Sequence, residues 1–200
     1  MVRFLQVFVI LIAFSAGTAD AAFALTTEEM LAEGTIGDEK APVTIVEYAS
    51  LTCPHCADFT KNTFDAFKAK YIDTGKVRYT YRDFPLDKLS TYAAMMVRCA
   101  GPDHFYGLLA ALFKSQDIWA ASKDPMGELA KFGRLAGLSK EQFDACMANE
   151  DLLKGILKGA QDAQEQLNVA ATPTFIVNGV RHEGNMSLEE FDKILAPLIK

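Results

Sequence analysis

Two cysteines separated by two residues, Cys53-Pro54-His55-Cys56, stand where an apolar run meets an amphipathic one. That junction constrains the fold more than any other feature of the chain. Val43 to Leu51 reads as a buried strand. Pro54 to Tyr71 reads as a helix, with Phe59, Phe64 and Phe67 at helical spacing on its core face. A strand that runs into a helix leaves free backbone N–H groups and a positive dipole end beside the first cysteine. That setting favours the thiolate, the reactive form of the side chain. Pro54 has no N–H to lose and suits the first helical position.

The rest of the chain supplies the frame. Leu25 to Lys40 reads as a polar, loosely packed arm with a helical turn near Thr27 to Leu31. Val77 to Arg82 alternates and is rich in β formers, so a second strand is expected there. From Ser90 to Asn149 the signals are helical only. Ser90 is read as the cap of a helix to Arg98, and Gly101-Pro102 ends it. A second helix follows from His104 to Ser115. Asp124-Pro125 opens a third and Gly137 closes it, and Ser139 with Gln142 forms a capping box for a fourth. Asp151 to Leu167 is a long helix. Thr174 to Val177 and Val180 to Glu183 flank Asn178-Gly179, a hairpin signal. Ser187 and Glu190 box the last helix, Leu188 to Ile199. The expected fold class is α/β, interrupted by a block of helices.

The chain has 200 residues, four cysteines and a formal net charge of −6. With no basic cluster, nucleic-acid binding is excluded. Arg3, the apolar stretch Val7 to Phe14 and the small residues ending in Ala22-Phe23-Ala24 (or Ala19-Asp20-Ala21) read as a cleavable signal peptide over residues 1–24. The alternative is an uncleaved anchor, but the apolar stretch is shorter than the ~20 residues a spanning helix needs. In an exported, oxidising space, four cysteines point to disulfides before metal. A zinc site would need a second CxxC or a His pair at finger spacing, and neither is present.

With these residues in hand, the chain resembles the thioredoxin-like superfamily and, within it, the DsbA family of exported bacterial thiol–disulfide oxidoreductases. The resemblance rests on Cys53-Pro54-His55-Cys56 after a strand, on Ala171-Thr172-Pro173-Thr174-Phe175 before the hairpin, and on the helical block between the two halves. It implies a thioredoxin-like domain made of 25–83 and 151–200, with 84–150 an all-helical insertion. Cys53 is then the exposed, acidic, interchange sulfur, and Cys56 its buried partner. His55 can hydrogen-bond or place positive charge near the Cys53 sulfur. Thr172-Pro173 is either a plain strand entry or a cis bond that brings an open backbone edge beside Cys53. The resemblance favours the cis bond and gives Thr172 a part in tuning redox strength and substrate release. Glu47 is either an edge residue facing solvent or a buried acid that exchanges a proton with Cys56. Cys99 and Cys146 are either a structural disulfide or two buried thiols, and the oxidising compartment favours the bridge.

The expected activity is the introduction of disulfides into unfolded exported proteins in the periplasm. The redox group is the Cys53–Cys56 pair, with no dissociable cofactor and no metal. Reoxidation falls to a membrane quinone-linked partner resembling DsbB. The alternative within enzymes is an isomerase or reductase kept reduced by a DsbD-like partner. About 18 residues lie between Ala24 and Val43, short for an oligomerisation stalk, so a monomer is expected. A copper-binding chaperone using the two thiolates is the reading from another class, and the lack of a Met/His-rich tract weighs against it. His104, His182 and Trp119 read as packing or surface. Met95, Met96 and Met126 read as packing before a soft substrate groove.

Overall fold

The computed structural model describes residues 25–199. The signal-peptide assignment lies outside the described residues. Among those described, no helix is long and apolar enough to cross a membrane.

Five strands form one mixed sheet: β1 (Gly34–Ile36), β2 (Val43–Ala49), β3 (Val77–Asp83), β4 (Thr174–Val177) and β5 (Val180–Glu183), in the order β1-β3-β2-β4-β5. The central pair β2 and β3 is parallel, and the other three pairings are antiparallel. The parallel pair needs a crossover, which is α2, residues 54–72. It is α-helical at Pro54–Phe59 and Asp65–Phe67 and widens to π-type turns at Thr60–Phe64 and Lys68–Ile72. The hairpin β4–β5 turns at Asn178 and Gly179, both with positive φ (45° and 85°), as a type I′ turn requires.

Period two sorts the residues of β2 onto two faces. Val43, Ile45, Glu47 and Ala49 face α2. Val46 and Tyr48 face α8 (Glu150–Leu167), where Tyr48 packs with Ala163 and Ile176. On the α2 face, Phe59, Phe67, Phe175 and Phe191 form an aromatic cluster, with ring centroids 4.9 Å apart for Phe59–Phe175 and 4.6 Å for Phe67–Phe191. Phe191 comes from α9 (Leu188–Leu195), so the last helix covers the same face as α2. Phe64 is only partly buried, packed against the edge of this core.

Between β3 and β4 lie α3 (Lys88–Cys99), α4 (Pro102–Lys114), α5 (Gln116–Trp119), α6 (Pro125–Leu135) and α7 (Lys140–Met147), followed by α8. Cys99 at the end of α3 is disulfide-bonded to Cys146 in α7. Trp119 is fully buried and donates to the Leu112 carbonyl at 2.9 Å. Met95 and Met96 are both core residues.

Three expectations need correcting. The N-terminal arm is not loosely packed. Its helix α1 (Thr27–Leu31) buries Met30, and the next residues form β1 against β3. A Cβ at Gly34 would collide with the Phe105 ring, so the close approach of β1 to α4 requires glycine. The cap of α3 is Asp87, which accepts from Ser90 N at 2.7 Å; Ser90 is the third helical residue and returns the bond. The last helix stops at Leu195 rather than Ile199.

One buried ion pair joins these parts. Arg98 in α3 donates through Nε to Asp83 at 2.5 Å and through Nη1 to the carbonyls of Met30 and Ala32, at 3.0 and 3.1 Å. Arg98 thereby holds α1 and β3 to the helical block.

Candidate active site

Cys53 is the N-cap of α2, with extended backbone angles (φ −78°, ψ 121°). Its N–H is held by Ser50 O at 3.0 Å, and its carbonyl accepts from Ala57 N at 3.2 Å. The strand therefore ends in one tight turn that delivers the sulfur to the start of the helix. Pro54 takes the first helical position, and its side chain and that of His55 are exposed.

Cys53 and Cys56 are both free thiols, the reduced form of the pair. Their environments push them apart. Cys53 is held down to about 5. The first cause is the hydrogen bond from the Cys56 thiol, which outweighs burial, with help from Thr172 and from the backbone N–H groups of Cys56 and His55. Cys56 is pushed far up by burial, by its bond to Cys53 and by the charges of Glu47 and Cys53. Cys53 is less open than expected: only 5 % of its surface is exposed, because Cys53 packs against the loop before β4. His55 acts on the sulfur through its backbone N–H. Its ring makes no hydrogen bond among the described residues, so the hydrogen-bonding half of its expected side-chain role is absent here.

That loop contains Thr172 and Pro173, joined by a cis peptide bond. The Thr172 carbonyl oxygen lies 3.2 Å from the Cys53 sulfur. The Thr172 hydroxyl is buried and has no hydrogen-bond partner among the described residues. Thr174 Oγ1 donates to Ala171 O at 2.7 Å, and Gly184 N donates to Pro173 O at 2.9 Å. The loop is therefore fixed from both sides, with backbone presented next to the reactive sulfur.

Glu47 lies on the central strand with 3 % of its surface exposed, and the edge alternative is set aside. Burial raises its carboxyl to about 7, a bond from Tyr79 opposes the rise, and the Cys53 charge adds to it. The Tyr79 hydroxyl donates to Glu47 Oε2, while Oε1 is buried with no hydrogen-bond partner.

Two residues of the site carried no sequence signal. Gln116, at the start of α5, is buried and donates from Nε2 to the carbonyls of Leu51 and Cys53, each at 2.9 Å. A lone polar residue between two helices belongs to no motif. Tyr79 reads from sequence as a β former, and only the diagonal neighbourhood of β2 and β3 shows that it meets Glu47. Cys99 and Cys146 lie away from this constellation, both buried. Among the described residues, no group of three or more His, Cys, Asp or Glu side chains could hold a metal ion.

Residues 29–196 match the family model described as Thioredoxin. A Rickettsia typhi protein provisionally named protein-disulfide oxidoreductase is 34% identical over 159 residues, covering 79% of this chain and 58% of that protein. This chain thus spans little more than half the length of the curated Rickettsia relatives. Among solved structures, that of Wolbachia pipientis alpha-DsbA1 superimposes with a TM-score of 0.77 at 33% identity, covering 83% of this chain and 90% of the other. The protein-disulfide isomerase from Novosphingobium aromaticivorans gives 0.71 at 27% identity, covering 84% and 100%. The chain, with its thioredoxin-like sheet, its helical insertion and its paired cysteines beside a cis-proline loop, belongs to the DsbA family of the thioredoxin-like superfamily.

Proposed function

We propose that this chain is an exported thiol–disulfide oxidoreductase that donates the Cys53–Cys56 disulfide to proteins with free thiols. One observation carries the reading: the Cys53 sulfur sits at the start of α2, 3.2 Å from the carbonyl of the cis Thr172-Pro173 loop, with Cys56 buried one turn below it. This setting holds Cys53 down to about 5 and pushes Cys56 up. A low proton affinity makes Cys53 a thiolate at neutral pH, the form that takes part in exchange, and a good leaving group.

The reaction balances as follows. A substrate thiolate bonds to the Cys53 sulfur, the Cys53–Cys56 bond breaks, and Cys56 leaves with the electron pair and takes a proton. A second substrate thiolate then bonds to the first substrate sulfur, and Cys53 leaves as thiolate. The substrate loses two electrons and the cysteine pair gains them, so no dissociable cofactor is required. Glu47, at about 7, suits the proton exchange with Cys56, because a group that gives and takes protons works best near the operating pH. Thr172 and Pro173 present backbone to which an extended substrate can pair.

Stabilising the thiolate stabilises the reduced protein and makes the disulfide the stronger oxidant. Holding Cys53 well below its ordinary 9.0 therefore favours the reduced state at pH 7. We assign the protein to the periplasm through a signal peptide over residues 1–24, which N-terminal sequencing of the mature protein tests. Reoxidation by a DsbB-like membrane quinone reductase and a monomeric state belong to the same reading, as does a purely structural part for Cys99–Cys146 in an insertion over 84–150.

The name of the Novosphingobium neighbour favours a second reading, isomerase or reductase, kept reduced by a DsbD-like partner. Alkylation trapping of the protein in cells decides between the two. A Cys53–Cys56 pair found oxidised supports the oxidase, and a pair found reduced replaces it with the isomerase or reductase. Equilibration with glutathione redox buffers tests the activity itself.

A further inference from the structure

Glu47 has two oxygens in unlike situations. Oε2 accepts the Tyr79 hydroxyl, and Oε1 is buried without a hydrogen-bond partner. An unpaired buried carboxylate oxygen is costly, and native proteins rarely keep one without a use. Glu47 also lines a void of about 20 Å³, large enough for one water molecule. Thr60, Tyr79, Tyr81 and Tyr106 also line it, and the partly exposed Phe64 and Ala110 lie on it between α2 and α4. The wider π-type turn at Thr60–Phe64 borders this void.

We propose that Tyr79 is a positioning residue: its hydroxyl holds Oε2 of Glu47 and reserves Oε1 for exchanging a proton with Cys56. This rests on the proton-exchange role given to Glu47 above. When the disulfide opens, the O–H bond at Oε1 breaks and an S–H bond forms at Cys56. When Cys56 attacks a mixed disulfide on Cys53, its S–H bond breaks and the O–H bond re-forms at Oε1. The groups that bear on Glu47 are Cys53 and Cys56 from α2, Tyr79 and Tyr81 from β3, and Tyr106 from α4. The facing β4 residue is Phe175, which does not titrate. Of these, Tyr79 alone donates a hydrogen bond to the carboxylate, and that bond lowers the carboxyl against the effect of burial.

The probe is oxidised glutathione. Reduced full-length protein forms a Cys53–glutathione mixed disulfide, and Cys56 then displaces glutathione at a rate read by acid quench and mass spectrometry. Removing the Tyr79 donor leaves the carboxyl more easily protonated, so the base form persists only at higher pH. In Tyr79→Phe the pH profile of the resolving step is expected to move up by about one unit, a tenfold slower rate below the midpoint. The Cys53 thiolate titration should stay where it is. In Glu47→Gln the profile should lose its step near neutral pH, and adding Tyr79→Phe to it should change nothing further. A Glu47→Gln protein with a wild-type profile would overturn the role of Glu47 itself. A Glu47→Gln effect alongside an unmoved Tyr79→Phe profile would overturn only the role of Tyr79. Should Tyr79→Phe fold poorly, carbon-labelled glutamate NMR on the wild type supplies a second reading. A Glu47 midpoint near 7 supports the proposal, and one at the ordinary 4.5 defeats it.

Discussion

Cys53 meets two opposing conditions: it is nearly covered, which disfavours charge, and it is surrounded by donors, which favour it. The donors prevail, and the consequence is measurable in the reduced protein. Its thiolate absorbance should titrate with a midpoint near 5. Because the folded value lies below the unfolded 9.0, the stability it contributes is complete above about 9 and is lost as pH falls through about 5. The melting temperature of the reduced form relative to the oxidised form should therefore climb across that window. Glu47 acts in the other sense. Its folded value, about 7, lies above 4.5, so its contribution is present below 4.5 and is lost as pH rises through 7. Glu47→Gln should accordingly raise the reduced protein's melting temperature at pH 8 relative to wild type, with no such gain at pH 4. Thermal melts of both proteins at the two pH values check this.

Among the elements, those with local chemistry were legible in advance. Asn178-Gly179 marked β4 and β5 to the residue, because a type I′ turn needs positive φ at two adjacent positions and these two residues tolerate it. Ser139 with Gln142 and Ser187 with Glu190 marked helix starts through bonds made within four residues. What stayed hidden depends on distant partners. Strand β1 has three residues, too few for an alternating pattern, and exists because β3 offers an edge. The π-type turns of α2 leave no mark on its amphipathic pattern. At the site, the cysteine pair and the Thr172-Pro173 loop were visible as motifs, whereas the hold of Gln116 and Tyr79 on it appears only once the chain is folded. Arg98 belongs to the hidden class as well: it read as the tail of a helix, yet it joins three segments from the interior. Replacing it with Ala leaves Asp83 charged and unpaired in the core, and chemical denaturation should record a loss of about 3–5 kcal/mol. Phe59→Ala, which empties the centre of the aromatic cluster, should cost about as much by the same measurement.

In the molecule as a whole, the larger of two apolar clusters runs from the sheet into the helical block, and a smaller one around Tyr48 packs the other face of the sheet on α8. The Cys99–Cys146 bond closes a loop with a sequence separation of 47 inside that block. Replacing both cysteines with Ala should lower stability by about 2–4 kcal/mol in urea unfolding, since the unfolded chain regains the freedom of that loop. Cys53 is the better leaving group because its proton affinity is held down to about 5, so mild reductant should open Cys53–Cys56 before this bond, as differential alkylation would show. The Gln116 side chain reaches from α5 to two carbonyls of the turn that carries Cys53. Trimming the protein to a minimal scaffold by excising its helical block would strip the Gln116 donor from both acceptors and leave Cys53 O with Ala57 N alone, so the reactive tip would lose its brace. For anyone engineering a smaller oxidant from this framework, that single amide is the tether to rebuild first.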